Sequence, residues 1–436
     1  PRPVHHPCTG SLMPTTAAYV VVFGVALATT FAITPLFRWG ATRLGVVAEP
    51  TERAVHTTPI PYLGGLAMLV GFLVAMGVAW LSGAFPAMFE GTSGPLGVAL
   101  GAVILCAVGT LDDVRDVSAP AKTAGIVFGG SVMYLLGVTL LYFRIPFVDG
   151  LIVLGPDLAP LATVLCVLGM ANAVNLIDGL DGLAAGIVAI AAGSFFLYGH
   201  KLATVGVEVI SPDNPSPLIA VITAGVCLGF LPWNIHPARI FMGDGGALML
   251  GGLMAAATML VGGQTSQTFS GQVYFFFAPL FIPFLVMGVP IVDTLFAIFR
   301  RARKRASMAE ADKDHLHHRL MRLGHGHRRS VVILWLWTGL LALFVLYPVY
   351  TGEGDALVPI GVLALGLVLL TFFHPGIRRS RGSDGSNGAG DLGDPGGSGG
   401  AAPDDDLWHH ESPSPQSGPV TGAAGPRPPG DLPPPD

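Results

Sequence analysis

Residues 98–113 read VALGAVILCAVGTLDD, and residues 166–182 read CVLGMANAVNLIDGLDG. Each is a greasy stretch closed by a pair of acids, Asp112 with Asp113 and Asp178 with Asp181. Two further acids share the setting: Asp244 in FMGDGG, just before another apolar run, and Asp293 within VPIVDTLFAIFRR. An ionised carboxylate in or beside hydrocarbon costs several kcal/mol, about 2.5–3.5 on insertion scales. Membrane proteins keep such groups where they bind a cation, relay a proton or meet a charged substrate. The fold therefore turns on how many such stretches there are, and the function on whether their acids share one side.

Composition settles the class. The chain is 51% hydrophobic and 12% charged, against roughly 25% charged in soluble domains. Runs of about 18 or more apolar residues can cross a hydrocarbon core of roughly 30 Å as helices. They fall at 17–37, 62–81, 96–111, 121–142, 158–177, 183–199, 217–233, 245–262, 273–299, 331–350 and 356–374. The third and fifth are short or interrupted. The expected fold is thus an all-α polytopic integral membrane helix bundle of about eleven transmembrane helices, with ten the alternative. Cys106, Cys166 and Cys227 lie in apolar runs and suit small buried hydrophobes better than disulfides. The N-terminus lacks a basic region leading into a cleavable core, so the first run is read as a permanent span.

Lys and Arg set the orientation. With the N-terminus outside, 19 of the 23 basic residues fall in cytoplasmic loops or just after the last span. The C-terminus is then cytoplasmic. Residues 1–16 form an extracytoplasmic segment and 17–375 the transmembrane domain. Residues 376–436, rich in Gly and Pro, read as a disordered cytoplasmic tail. This orientation puts Asp112, Asp113, Asp178, Asp181 and Asp244 at cytoplasmic helix ends, on the side of the basic loop 300–330. Four distant stretches converge on one face.

The residue types narrow the chemistry. Asn172, Asn175, Asp178 and Asp181 recur every third residue, and on a helix three of the four can face one side. Amide and carboxylate oxygens are ligands that Mg²⁺ prefers, and Mn²⁺ accepts the same set. A capping and turn cluster at a helix junction is the plainer alternative. Asp112 and Asp113 point about 100° apart on a helix, so separate jobs suit them better than one shared ion. Crowded carboxylates suit a proton acceptor; capping of the following helix is the competing reading. Asp244 stands between glycines at a helix start, where N–H groups favour anions, either as a cap or as a bridge through Mg²⁺ to phosphate. DKDHLHHRL places His315, His317, His318 and Arg319 in a basic loop suited to a diphosphate. A zinc site and simple headgroup contact compete there. Asp293 either pairs with a neighbouring arginine or lines the site. No GxxxxGK[ST] phosphate loop occurs, and GDGGAL does not complete a GxGxxG fingerprint.

Taken in order, PIPYLGG (59–65), LDDVRD (111–116), NAVNLIDGLDGLAAG (172–186), FLPWNIHPARIFMGDGG (230–246), VPIVDTLFAIFRR (289–301) and DKDHLHHRLMRLG (312–324) resemble the polyprenyl-phosphate N-acetylhexosamine-1-phosphate transferases. These are enzymes of the glycosyltransferase family 4 type. The resemblance implies a multi-pass bundle in the bacterial plasma membrane with a cytoplasmic site. It implies attack of a polyprenyl phosphate on a UDP-sugar, with UMP leaving. Residue by residue it makes Asn175 and Asp244 the Mg²⁺ ligands. Asp112 becomes the group that deprotonates the lipid phosphate, with Asp113 beside it as catalytic residues. Asp178 and Asn234 contact the uridine, Phe241 stacks on uracil, and Asp181 is grouped with the substrate-binding residues. His315, His317, His318 and Arg319 handle the diphosphate and sugar. The His loop resembles the UDP-GlcNAc branch more than the phospho-MurNAc-pentapeptide branch, which remains the alternative. A cation-coupled secondary transporter is the rival of a different class, although the acids sit at helix ends rather than at the midplane. The expected partners are a UDP-N-acetylhexosamine, a polyprenyl phosphate and the membrane, with no nucleic acid. A homodimer is left open.

Overall fold

The computed structural model describes residues 14–48, 59–144, 151–204, 211, 213–262, 326–351 and 360–367. Expectations for the N-terminal segment, the spans at 273–299 and (in part) 356–374, the tail, Asp293, His315, His317, His318 and Arg319 fall outside these residues.

Eight long helices and two short ones, with two small two-stranded hairpins, make up the described chain before residue 262 together with the segment at 327–351. They run α1 (Thr16–Leu44), β1 (Val47–Ala48), β2 (Ile60–Pro61), α2 (Gly64–Leu81), α3 (Pro86–Glu90), α4 (Gly94–Arg115), α5 (Ala119–Leu135), β3 (Tyr142–Arg144), β4 (Leu151–Val153), α6 (Leu158–Ile177), α7 (Leu183–Thr204), α8 (Ser216–Asn234), α9 (Gly243–Gly262) and α10 (His327–Thr351). Eight of the helices are long and apolar enough to cross a membrane. The shorter α5, 17 residues long, fills the position of the expected fourth span. The interruptions expected in the third and fifth spans are absent, because Gly within α4 and α6 is tolerated where neighbouring helices pack closely. The protein is thus a mostly helical, multi-pass membrane bundle.

The core is built around α9. Of its membrane-length window, 94% is buried. It is packed against α4, α6, α2 and α8. Large apolar side chains on the outer helices, among them Val20, Phe31, Phe128, Leu161 and Leu165, are exposed as a lipid-facing surface requires. Small residues let the inner backbones approach. A Cβ on Gly65 of α2 would strike the backbone of Gly246, and one on Gly109 of α4 would strike the backbone of Asp244. These two close approaches sit at the N-terminal end of α9, beside the acids.

Two loops are zipped together at the same end. Gly64 and Gly65 donate to the carbonyls of Phe241 (3.0 Å) and Met242 (2.9 Å), and Phe241 donates back to Pro61 (2.9 Å). The start of α2 and the approach to α9 are thereby tied together.

Gly109→Ala should lower stability by about 1–3 kcal/mol, because its methyl meets backbone that cannot turn aside. Gly77→Ala, in α2 with nothing within 4 Å, should be neutral or stabilising by up to about 1 kcal/mol. Thermal unfolding of the detergent-solubilised variants measures both; equal effects would refute this picture of the packing.

Candidate active site

An α-helix start leaves N–H groups without partners, and at α9 that start is inside the protein. Asp113 supplies the acceptors. Its Oδ1 takes the N–H of Asp244 at 2.9 Å and its Oδ2 the N–H of Gly245 at 3.2 Å. Gly243 precedes them with φ of 66°, and any Cβ there would collide with the Asp113 carboxylate. Only glycine meets both demands.

With its own N–H held by Asp113, Asp244 is free to turn its carboxylate elsewhere. Its Oδ1 accepts from Asn175 Nδ2 at 2.7 Å, and its Oδ2 is ion-paired with Lys122 Nζ. The same ammonium lies 2.8 Å from Asp112 Oδ2. Asp112 Oδ1 is fixed by the N–H of Val117 at 2.8 Å. The adjacent acids thus do different work, as their angular separation on a helix anticipates. Asp112 faces the cluster and braces the turn into α5, whose N-cap is Ser118. Asp113 holds α9.

The stripe Asn172–Asn175–Asp178–Asp181 is broken up, because α6 ends at Ile177 and Gly182 turns with φ of 77°. Asn172 donates back to Leu168 on its own helix at 2.8 Å. Asn175 meets Asp244. Asp178 caps the C-terminal end of α6, retaining slight solvent contact while protein surrounds it. Burial pushes its carboxyl well above the ordinary range, and the charges of Asp244, Asp113 and Asp181 push it further. Asp181 points to His236, whose Nδ1 is 2.7 Å from its Oδ2.

Two groups near the cluster carried no individual role in the sequence reading. Lys122 registers there only as one more cytoplasmic positive charge; the ion pair with Asp244 that singles it out needs a contact across 122 residues. Tyr62 lies with its ring centroid 6.0 Å from that of Phe241. Burial first, then the charges of Asp113, Asp244, Asp178 and Asp116, raise its phenol above the usual value, so it remains a donor. Asn234 is buried, and both ends of its amide serve backbone. Its Oδ1 accepts from Gly182 at 3.0 Å and its Nδ2 donates to Ile240 at 3.1 Å. It joins the α6–α7 turn to the approach to α9.

The donors fit a hard divalent cation. Asp112, Asp244 and Asn175 present only oxygen and amide groups. Asp112, Asp113 and Asp244 all interact with Lys122, and Asp178 lies within the field of Asp113 and Asp244. The ammonium already lying between two carboxylates marks where positive charge is wanted.

The chain is similar to known proteins across most of its length. The family model described as Glycosyl transferase family 4 matches residues 95–262, the interval that holds every charged group of this cluster. A protein of Mycobacterium tuberculosis named decaprenyl-phosphate N-acetylglucosaminephosphotransferase is 40% identical over 342 residues, covering 76% of this chain and 83% of that protein. A Bacillus subtilis protein named probable undecaprenyl-phosphate N-acetylglucosaminyl 1-phosphate transferase is 37% identical over 319 residues, 73% of this chain and 81% of its own. A phospho-N-acetylmuramoyl-pentapeptide-transferase of Mycolicibacterium smegmatis is 30% identical over 360 residues, 74% and 94% respectively.

Asp113→Asn replaces one acceptor by an N–H₂ that faces another donor, so it should cost about 1–3 kcal/mol. Asp178→Asn should behave oppositely. A carboxyl raised in the folded state costs stability once pH exceeds its unfolded value of about 3.9, and the cost grows until the folded value is passed. The Asn variant should therefore be at least as stable as the parent at pH 7, with the gap closing as pH falls toward 4. Melting curves across pH measure both; a large loss of stability in Asp178→Asn would refute its assignment as a strained acid.

Proposed function

Because this chain belongs to glycosyl transferase family 4, we propose that it transfers N-acetylglucosamine-1-phosphate from UDP-GlcNAc to a polyprenyl phosphate. The products are a polyprenyl-diphospho-GlcNAc and UMP, the opening membrane step of a cell-wall or surface polysaccharide. One observation carries the reading: Asp112, Lys122, Asn175 and Asp244 meet at one end of an apolar bundle, beside Tyr62 and Phe241. A water-soluble nucleotide and a lipid phosphate can both reach such a place, and a transporter site would lie deeper. The positive-inside bias supports assigning that end to the cytoplasm.

An oxygen of the lipid phosphate attacks the β-phosphorus of the UDP-sugar. The bond from that phosphorus to the bridging oxygen breaks, and UMP leaves with its electron pair. We assign Asp112 to take the proton of the lipid phosphate; the Val117 N–H and Lys122 keep its carboxylate aimed into the cluster. Lys122, a point charge with three donors, offsets phosphate charge as it now offsets Asp112 and Asp244. Asp113 acts through α9, fixing the backbone from which Asp244 projects. Asn175 and Asp244 are the residues that would hold Mg²⁺ or Mn²⁺, which when bound screens the repulsion between phosphates and stabilises the leaving oxygen. Phe241, whose position is set by the zipped loops, offers a face for the uracil ring. Asp178 and Asp181 are assigned to the nucleotide on the resemblance of their motif, and Asn234 braces the loop that carries Phe241. His315, His317, His318 and Arg319 are assigned to the diphosphate and sugar on the resemblance of their motif.

Purified protein given UDP-GlcNAc, polyprenyl phosphate and Mg²⁺ should release UMP and form the lipid diphosphate, read by mass. UDP-MurNAc-pentapeptide should give no product, and product from that donor alone would move the protein to the other branch. Asp112→Asn should lower turnover on the order of 100-fold or more while UDP-GlcNAc still binds. Chelation with EDTA and Asp244→Ala should each abolish turnover. Unchanged turnover after either would remove the metal from the scheme.

A further inference from the structure

We infer that Asp181, His236 and His327 form a second metal centre, distinct from the oxygen-lined cluster and suited to a nitrogen-preferring ion of the Zn²⁺ class. The three residues come from separate parts of the chain. Asp181 lies in the turn between α6 and α7, His236 in the loop between α8 and α9, and His327 is the first residue of α10. One potential ligand atom from each lies within 4.8 Å of the other two. Among the described residues this is the one such grouping of three His, Cys, Asp or Glu side chains.

The contacts within the group have the form of a preorganised ligand set. His236 Nδ1 is 2.7 Å from Asp181 Oδ2, and the N–H of Ala238 donates to that same oxygen at 3.1 Å, holding the carboxylate in place. The rings of His236 and His327 stack with centroids 4.3 Å apart and planes 25° from parallel. An ordinary hydrogen-bonded His–Asp pair accounts for His236 and Asp181. It leaves His327 unexplained. Both ring nitrogens of His327 are closed off from solvent; neither makes a hydrogen bond of good geometry, and the Asp181 backbone acts on the ring. Buried polar nitrogens nearly always have a well-placed partner. A metal ion bound through one of them would supply it.

The donor set also separates this centre from the first. Two imidazoles and one carboxylate are the three-ligand complement of many zinc sites, leaving a fourth position for water or another ligand. Mg²⁺, which takes oxygen ligands and sheds water reluctantly, has little affinity for such a set. An ion here would tie the start of α10 to the α6–α7 turn and to the loop that leads into Phe241 and Asp244. Its role would be to position that loop, and the inference does not depend on which sugar nucleotide the enzyme uses.

The test uses the full-length, untagged protein in detergent, stripped of metal and then kept in excess Mg²⁺ to occupy the oxygen-lined cluster. Zn²⁺ is titrated and bound metal counted after desalting, with Co²⁺ as a spectroscopic probe. One equivalent of Zn²⁺ should be retained, and Co²⁺ should give the intense visible bands of a four-coordinate, nitrogen-containing site. His327→Gln and His236→Gln should each weaken Zn²⁺ binding by at least about tenfold, whereas Asp244→Ala should retain it. No saturable Zn²⁺ in the parent protein overturns the inference regardless of how the variants fold. So does zinc that survives in His327→Gln but is lost when His315, His317 and His318 are replaced together by Gln.

Discussion

The buried start of α9 is the constraint on which the site rests. A helix that begins inside a protein must find partners for its leading N–H groups, and here one carboxylate, Asp113, takes two of them. This contact joins the end of α4 to the beginning of α9. It also releases Asp244 from the capping duty that its position would otherwise invite. The acid that stands at the helix start is therefore available to a cation, because the acid 131 residues earlier does the capping. Gly243, Gly245 and Gly109 make the approach possible, since side chains at those positions would collide with Asp113, Thr110 and the Asp244 backbone.

Electrostatics explains why the remaining groups gather as they do. Several carboxylates at a membrane-embedded helix end repel one another, and neither a low-dielectric surrounding nor distant counter-ions relieve them. Lys122 reduces the cost by bridging Asp112 and Asp244. Asn175 contributes an uncharged donor to Asp244, and burial together with the neighbouring acids raises the Asp178 carboxyl above its ordinary range. What is left is an excess of oxygen donors over positive charge. Such a place suits added positive charge, which the proposed transfer between two phosphates would need.

A second set of contacts aligns the surroundings of the cluster. The strand-like pairing of Pro61–Gly65 with Phe241–Met242 fixes the aromatic pair Tyr62 and Phe241. Asn234 stitches Gly182 to Ile240, and Asp181 holds His236 and Ala238. The loop between α8 and α9 is thus secured from three sides before any ligand arrives. Preorganisation of this kind spares the enzyme the ordering cost at the moment of reaction.

Hydropathy alone was sufficient for the helical membrane class and for most helix positions, because a span must satisfy its own backbone and be apolar over a fixed length. Low charge and the repeated placement of acids at run ends likewise marked Asp112, Asp178 and Asp244 as costly groups kept for a purpose. Pattern could not say which neighbour each acid would meet. The three-residue spacing of Asn172, Asn175, Asp178 and Asp181 suggested one face, yet α6 stops at Ile177 and the four side chains part company. Lys122 looked like any cytoplasmic basic residue, and nothing in the pattern joined His236 to His327, since their partners are distant along the chain. Burial cost is a local property that residue type and context reveal. The choice of hydrogen-bond and ion-pair partner is settled by helix packing, where a rotation of one residue redirects a carboxylate by about 100°.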